Sequence, residues 1–509
     1  MQFTARAFVP YRVRLQAAAD RTPERIALCD DARSVTYAET IGLVDAFAAD
    51  LFSRGIRPGE VLALCASNSL EYAIAYLGAV SLGVVVAPLP TGATAAALAG
   101  MIADCSASLV LADADNLGRI ESSGARVTIE PLETLLERLD PSAPPPPRGD
   151  IAPDDVFNII YSSGTTGKPK GIVQSNAMRD AHVELARACG YDHESVTLVS
   201  TPLYSNTTLV SFLPTIALGG TVVLMAKFDA ARFLELAERH RVTHAMLVPV
   251  QYQRLLACEA FDAHDLSAFR EKFCTSAPFS AELKRQVLDR WPGGLTEYYG
   301  MTEGGGLCIL FADRHPDKLH TVGQPAPEND IRIIDEDGGQ LPPGEAGEVV
   351  GRSRSIMKGY HNLAEATNAA FWTSPDGYLF VRTGDVGRFD EDGFLILMDR
   401  KKDVIISGGF NIYPSDLEEV IRSHPRVQDV AVVGVDSPEW GETPVAFVVA
   451  PGATAEELLS FANQRLGKLQ RLKGARLVER LPRNAIGKIL KRELRDIWSE
   501  EGSKAAHPA

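Results

Sequence analysis

Apolar residues along the chain fall in short runs, separated by stretches in which they recur every three or four positions. Val61–Cys65, Val84–Pro88, Leu109–Ala112, Thr221–Leu224 and Ala245–Val248 are almost wholly apolar, which predicts short strands buried on both faces. Glu71–Leu82 and Ala230–Arg239 carry the helical period. Strands alternating with helices predict parallel sheets with covered faces, an α/β fold. The longest apolar stretch, Leu77–Pro90, holds two glycines and two prolines. It is shorter than the ~20 residues of a membrane-spanning helix and predicts a core helix running into a buried strand. Pro141–Pro147, with five prolines, predicts a surface linker. Beyond Phe380 the pattern becomes rich in strands and turns, as at Asp390-Glu391-Asp392-Gly393-Phe394. The charged run Asp399-Arg400-Lys401-Lys402-Asp403 then breaks the apolar pattern and is a hinge candidate; the last hundred or so residues form a small α/β unit. No internal repeat is visible.

Composition narrows the classes. A chain of 509 residues is long enough for three or four domains at about 100–200 residues each. Its 51 basic and 66 acidic residues give a net charge of −15, which argues against a general binder of nucleic acid or anionic membrane. Met1–Pro10 has no apolar core of the kind a signal peptide needs. The seven cysteines are odd in number, scattered and without a C-x-x-C pair, so buried thiols in a reducing cytoplasm are expected rather than disulfides or zinc. The ten histidines show no metal-binding spacing.

The most informative segment follows the apolar run Val156–Ile160: Tyr161, Ser162, Ser163, Gly164, Thr165, Thr166, Gly167, Lys168, Pro169, Lys170 and Gly171. Three glycines allow a tight backbone whose N–H groups can surround an anion, and hydroxyls and two lysines add donors and charge. The spacing is not that of a Walker A loop. A Gly/Ser/Thr loop taken alone is more often a flexible surface turn.

The whole string resembles the phosphate loop of the acyl-adenylate-forming ligases, the superfamily of acyl-CoA synthetases, carrier-protein adenylation domains and beetle luciferase. Further matches follow in order: Tyr298-Tyr299-Gly300-Met301-Thr302-Glu303, Thr383-Gly384-Asp385, Asp399–Asp403 and Asn484-Ala485-Ile486-Gly487-Lys488. The resemblance covers essentially the whole chain. It implies a large N-terminal domain, 1–399, with two parallel-type sheets, helices and a small β-barrel-like subdomain, then a hinge at 400–403 and a mobile α/β domain at 404–509 that carries the catalytic lysine.

By the same resemblance, the phosphate loop (Ser162, Ser163, Gly164, Thr165, Thr166, Gly167, Lys170) binds ATP together with Ala277, Pro278, Tyr298, Gly300 and Met301. Tyr299 stacks on adenine, Thr302 contacts the AMP phosphate and Glu303 holds Mg²⁺, a cation that takes oxygen ligands. Asp385 accepts from the ribose hydroxyls, Arg400 contacts ribose or phosphate, and Lys402 is the pivot. Read in isolation, these strings are a strand end with a helix cap, a turn and a solvated linker. Lys488 reaches the α-phosphate and carboxylate oxygens during adenylation, where one placed cation contributes about 10²–10³ in rate. The implied reaction joins a carboxylic acid to AMP with loss of pyrophosphate. A pantetheine thiol then attacks past Gly408 and Gly409.

The acceptor is expected to be free coenzyme A. From Arg465 to Arg495 there are eleven basic residues against Glu479 and Glu493, a local +9 inside an acidic molecule. A solvated helix face explains some of these charges. Arg471 and Lys473 best match CoA-binding positions, with Trp440 as a packing surface. The family's aromatic-Lys-x-Pro element is replaced by Leu469-Gln470-Arg471-Leu472. Gly434-Val435-Asp436-Ser437 matches a phosphopantetheine attachment string but lies inside the C-terminal domain, and is not read as a carrier site.

The acyl pocket is implied around Tyr204, Ser205, Asn206, Val250, Thr275, Ser276, Gly304 and Gly305. Ser205 stands where many relatives have His, and a simple helix start capped by Ser205 or Asn206 is an equal reading of that segment. The glycines at 304–306 read as room for a chain or ring to extend. With no Asp or Lys placed to bind an α-ammonium or second carboxylate, a fatty or aryl monocarboxylic acid is expected. The alternatives are an acyl-AMP ligase loading a carrier protein and a non-catalytic nucleotide-binding paralogue. The expected partners are the acid, ATP and CoA, without nucleic acid or stable membrane insertion; a homodimer is left open.

Overall fold

The computed structural model describes residues 7–142, 144–147, 149–162, 169–407, 410–438, 440–467, 470–483 and 489–505, with side chains as far as 499. The α/β expectation holds. Contacts divide the chain into two compact units, 1–331 with 350–381 and 332–349 with 382–509.

The first unit contains a nine-stranded and a seven-stranded sheet. In the nine-stranded sheet, Gly294–Tyr299, Glu271–Cys274, His244–Leu247, Val196–Val199, Thr221–Leu224 and Ile26–Cys29 run parallel, with antiparallel strands at both edges. In the seven-stranded sheet, Val156–Ser162, Val85–Pro88, Val61–Cys65, Ala107–Ala112 and Thr128–Pro131 are parallel. Lys170–Ser175 turns back antiparallel beside Val156–Ser162 and pairs on its other side with Gly359–Tyr360. The apolar runs therefore lie within a residue or two of where sequence places them, because strands covered on both faces need no polar alternation.

Helix Leu70–Leu82 is buried at every position. The Ser69 hydroxyl accepts from the Tyr72 N–H at its start, and left-handed Gly83 ends it. Helix Asn206–Leu218 is nearly as buried. Their side chains share one apolar core with Leu62, Leu64 and Val86 of one sheet and Leu28, Val222 and Met246 of the other. The two sheets thus close on a common helical layer, and the stretch from Leu77 is the expected core helix and strand. The described residues of the Pro141–Pro147 segment form no helix or strand and are exposed except for Pro146.

In the second unit, Leu395–Arg400 pairs antiparallel with Leu379–Phe389, so that Asp385 faces Arg400. These strands belong to the five-stranded sheet that stands for the small β-subdomain. A second five-stranded sheet is built on the hairpin Asp429–Ser437 and Gly441–Val449. Alternation along this hairpin sends Val430, Val432, Ala446 and Val448 into one core and Ala431, Val433, Val445 and Phe447 into another. Ser437 closes the ladder opposite Gly441, which suits a strand end rather than an exposed attachment loop. All seven cysteines are unbridged.

Candidate active site

The phosphate-loop string begins where strand Val156–Ser162 ends and finishes where Lys170–Ser175 begins, with Ser162 and Lys170 in register. Ser163, Gly164, Thr165, Thr166, Gly167 and Lys168 lie outside the described residues, as do Gly408, Gly409 and Lys488. Pleating directs Tyr161 away from its neighbours: its hydroxyl bonds the Asp104 carboxylate at 2.7 Å and the Met101 carbonyl at 3.1 Å, inside the core. Gly171 cannot carry a side chain, because a Cβ there would sit 2.8 Å from Ile159 Cγ2 and 3.1 Å from the Tyr161 ring.

Strand Gly294–Tyr299 delivers the second motif. Tyr298, half-buried, packs against Phe273 with ring centroids 5.4 Å apart. Tyr299 ends the strand half-buried and Gly300 is exposed. The main chain at Thr302 and Glu303 is fixed by neighbours that sequence reasoning did not single out. Gln174 Nε2 donates to the Thr302 carbonyl at 2.7 Å, and the Met357 N–H donates to the Glu303 carbonyl at 2.8 Å. The Tyr360 hydroxyl donates to Glu303 Oε1 at 2.9 Å, and Lys170 Nζ lies 4.9 Å from the centroid of the same ring. Burial, reinforced by the Glu303 carboxylate, raises the Tyr360 phenol and keeps it a donor. Among the described residues no cluster of three or more His, Cys, Asp or Glu could cage a metal. Glu303, with one oxygen engaged by Tyr360, is the donor set expected of a Mg²⁺ that arrives on nucleotide phosphates and takes a single protein carboxylate.

Around the implied acyl pocket, the Thr207 and Ser276 hydroxyls lie 2.6 Å apart. They tie the start of helix Asn206–Leu218 to the loop of Thr275, Ala277 and Pro278. Ser276 holds a left-handed φ of 80°, unusual for a residue with a side chain. Ser205 is at the N-cap position but makes no side-chain cap bond, and the buried Asn206 Oδ1 has no hydrogen-bond partner. Capping by Ser205 is thus not what the segment uses. Burial raises the Tyr204 phenol, which bonds the Thr91 side chain. Val250 lies in helix Pro249–Leu256, whose Gln251 Oε1 accepts from the Val248 N–H.

One reading needs correction. The glycines at 304–306 do not leave space. A Cβ on Gly304 would lie 1.9 Å from the Ser355 carbonyl oxygen, on Gly305 2.7 Å from Val381, and on Gly306 1.9 Å from Ile331. These positions are glycine because backbone packs directly on them, and Gly304 and Gly305 also adopt φ of 72° and 93°.

In the second unit, Arg400 Nε lies 3.2 Å from Asp385 Oδ1, and the Thr383 hydroxyl donates to the Val349 carbonyl at 2.7 Å while accepting from the Asp385 N–H. The residues flanking Lys402 are pinned: Lys401 to Glu348 at 3.1 Å, Asp403 to Arg495 at 2.9 Å, and Asp399 to Lys491 at 3.6 Å. Lys402 itself is exposed. Trp440, Arg471 and Lys473 are also exposed, Trp440 in the turn between the hairpin strands.

The antiparallel strands that flank the Gly/Ser/Thr string and the braced Thr302–Glu303 turn fit the resemblance to adenylate-forming enzymes. The AMP-binding enzyme family matches residues 15–361 and the AMP-binding enzyme C-terminal domain matches 416–488; the chain belongs to this family. It is 34% identical over 485 residues to a feruloyl-CoA synthase of Amycolatopsis sp, covering 94% of this chain and 96% of the relative. It is 33% identical over 489 residues to the 2-succinylbenzoate–CoA ligase of Geobacillus kaustophilus, covering 94% and 96%. ATP-bound MatB from Rhodopseudomonas palustris superposes with a TM-score of 0.87 at 30% identity, over 97% of this chain and 99% of that one. The o-succinylbenzoate CoA synthetase MenE of Bacillus subtilis, in complex with its acyl-adenylate, gives 0.85 at 29% identity, over 96% and 99%. Among the described residues no helix is long and apolar enough to cross a membrane.

Proposed function

We propose that the protein is an AMP-forming carboxylate–CoA ligase acting on an aryl or fatty monocarboxylic acid. The observation that carries this is identity of 33–34% along 94% of the chain to CoA ligases of aromatic acids, with the Thr302–Glu303 pair intact and braced. The names of those relatives favour the aryl side of the choice. Mg²⁺, held by Glu303 and the phosphates, would neutralise phosphate charge. In the first step a substrate carboxylate oxygen bonds the α-phosphorus of ATP as pyrophosphate leaves. The phosphate loop and Tyr299 would hold the nucleotide, Asp385 and Arg400 the ribose, and Lys488 the reacting oxygens. In the second, the CoA thiol sulfur bonds the acyl carbon and AMP leaves. Arg471 and Lys473 would attract the CoA phosphates. Domains at 1–399 and 404–509 pivoting at Lys402 would present first Lys488 and then Gly408–Gly409. Seven unbridged cysteines, five of them buried, support a reducing compartment, the cytoplasm.

The test is pyrophosphate release across a panel of aryl and fatty acids, with and without CoA. Acid-dependent release with thioester formed on adding CoA is expected. Release that depends on no acid would sink the enzyme reading in favour of a nucleotide-binding paralogue. Adenylation without thioester would favour the carrier-protein alternative.

A further inference from the structure

The Gln174 contact with Thr302 is the end of a longer chain buried in the first unit. Arg179 Nε donates to Asn158 Oδ1 at 2.9 Å, Asn158 Nδ2 donates to Gln174 Oε1 at 3.1 Å, and Gln174 Nε2 donates to the Thr302 carbonyl at 2.7 Å. Asn158 and Gln174 are fully buried and stand opposite each other in paired strands, and Arg179 is 2% exposed. Each amide could by shape alone be turned either way, since its oxygen and nitrogen ends are nearly isosteric. Arg179 removes that freedom. A guanidinium has only donors, so Asn158 must turn its oxygen to Arg179 and its NH₂ to Gln174. Gln174 must then accept from Asn158 and turn its own NH₂ to Thr302. The donor-only guanidinium at one end and the acceptor-only Thr302 carbonyl at the other impose the same direction on every bond.

The arginine is costly to keep. Among the described residues it has no carboxylate partner: its Nη2 is unpartnered and its Nη1 has only His182 Nδ1 at 3.4 Å. Burial pushes the guanidinium down to about 10, so it remains charged at neutral pH. It also pushes His182 down to about 3, leaving a neutral ring able to accept. Nothing in packing requires a buried cation here, since an apolar side chain of similar length would fill the space at lower desolvation cost.

We propose that Arg179, Asn158 and Gln174 are positioning residues that set the polarity of a buried relay and so aim the Thr302–Glu303 turn at the nucleotide. This rests on the ligase reading only for the role of Thr302.

Asn158→Asp separates positioning from stability. The carboxylate gives Arg179 a counter-charge but cannot donate, so Gln174 must turn its NH₂ toward Asp and its oxygen toward the Thr302 carbonyl. The expected result is a melting temperature at or above wild type. With it, kcat/KM for ATP in acid-dependent pyrophosphate exchange should fall about five- to hundredfold, the span of one lost hydrogen bond at a buried carbonyl. KM for the acid should stay unchanged. Arg179→Met, which leaves the acceptor-only Thr302 carbonyl to hold Gln174 and Asn158 in the same sense, should lose less. A wild-type kcat/KM in Asn158→Asp overturns the proposal, as does a loss that tracks a lower melting temperature. Should that variant not accumulate as folded protein, Gln174→Met carries the same test. It should lower kcat/KM for ATP at unchanged KM for the acid, and wild-type values overturn the relay. Failure of the wild-type protein to show any acid-dependent exchange would instead refute the ligase reading, so the two failures are distinguishable.

Discussion

Replacing Lys284 by Met should destabilise the first unit by an amount that depends on pH in a calculable way. Lys284 is 1% exposed. Its ammonium lies 2.5 Å from Glu297 Oε2 and donates to the carbonyls of Leu319 at 2.8 Å and Thr321 at 2.9 Å. Without it, Glu297 has no cation in a site where burial already raises its carboxyl above 4.5. Left ionised, it would cost about 3–5 kcal/mol. It can escape by taking a proton. At pH 7 that costs about 1.4 kcal/mol for each of the roughly 2.5 units above the unfolded value, near 3.4 kcal/mol, and at pH 5 only about 0.7. The sign follows from linkage: the folded variant holds a proton that the unfolded chain releases above about 4.5, so its stability falls as pH rises. Urea unfolding followed by tryptophan fluorescence, referred to wild type at each pH, should give a loss of about 3–4 kcal/mol at pH 7, smaller by about 2–3 at pH 5. The double variant with Glu297→Gln should recover most of the difference. An equal loss at both pH values, or no recovery in the double variant, would refute the account.

Other outcomes follow from the same geometry. Tyr360→Phe keeps the ring beside Lys170 but removes the bond to Glu303, and should raise the apparent KM for MgATP about three- to tenfold, read by titrating ATP in pyrophosphate exchange. Lys272, fully buried and donating to the carbonyls of Pro292 and Gly293, is pushed down to about 7 by burial. The unfolded chain therefore binds the extra proton between about pH 7 and 10 and stability rises with pH there, a rise that Lys272→Met should flatten in the urea midpoint. Lys488→Ala should abolish acid-dependent pyrophosphate exchange while sparing thioester formation from preformed acyl-adenylate. Arg471→Ala with Lys473→Ala should raise KM for CoA and leave adenylation intact, as measured by the two half-reactions separately.

What could be read from sequence follows from the physics of each feature. Strands such as Val61–Cys65 and Thr221–Leu224 are covered on both faces and therefore written as unbroken apolar runs. The phosphate loop and the Tyr299–Glu303 string are contiguous, so their chemistry is written in one place. Tyr360 is 57 residues from its partner Glu303, and no local pattern marks it. Asn158 did leave a trace, as the single polar residue in the apolar run Val156–Ile160, and Gln174 follows the apolar pair Ile172-Val173, but only strand register reveals that they face each other. Gly304–Gly306 misled because a glycine string is the same whether the absent side chain makes way for ligand or for backbone.

These particulars bear on how the site achieves its rigidity. The segment leading into the nucleotide motif is held successively by side chains from separate elements. The Thr296 hydroxyl bonds Glu271 at 2.8 Å, Glu297 pairs with Lys284, Gln174 holds the Thr302 carbonyl, and Tyr360 holds the Glu303 carboxylate. Burying this many polar groups beneath a turn is not the most stabilising choice, since apolar packing would stabilise as much without desolvating a charge. What polar contacts supply instead is direction. Each fixes one donor or acceptor along one line, whereas apolar contacts tolerate sliding. A reaction whose catalysis is mostly positioning against phosphate charge benefits from groups that do not reorganise when that charge develops. On this argument these four contacts would serve the proposed adenylation by holding the turn in place. Their removal should appear in the adenylation rate before it appears in binding of the acid.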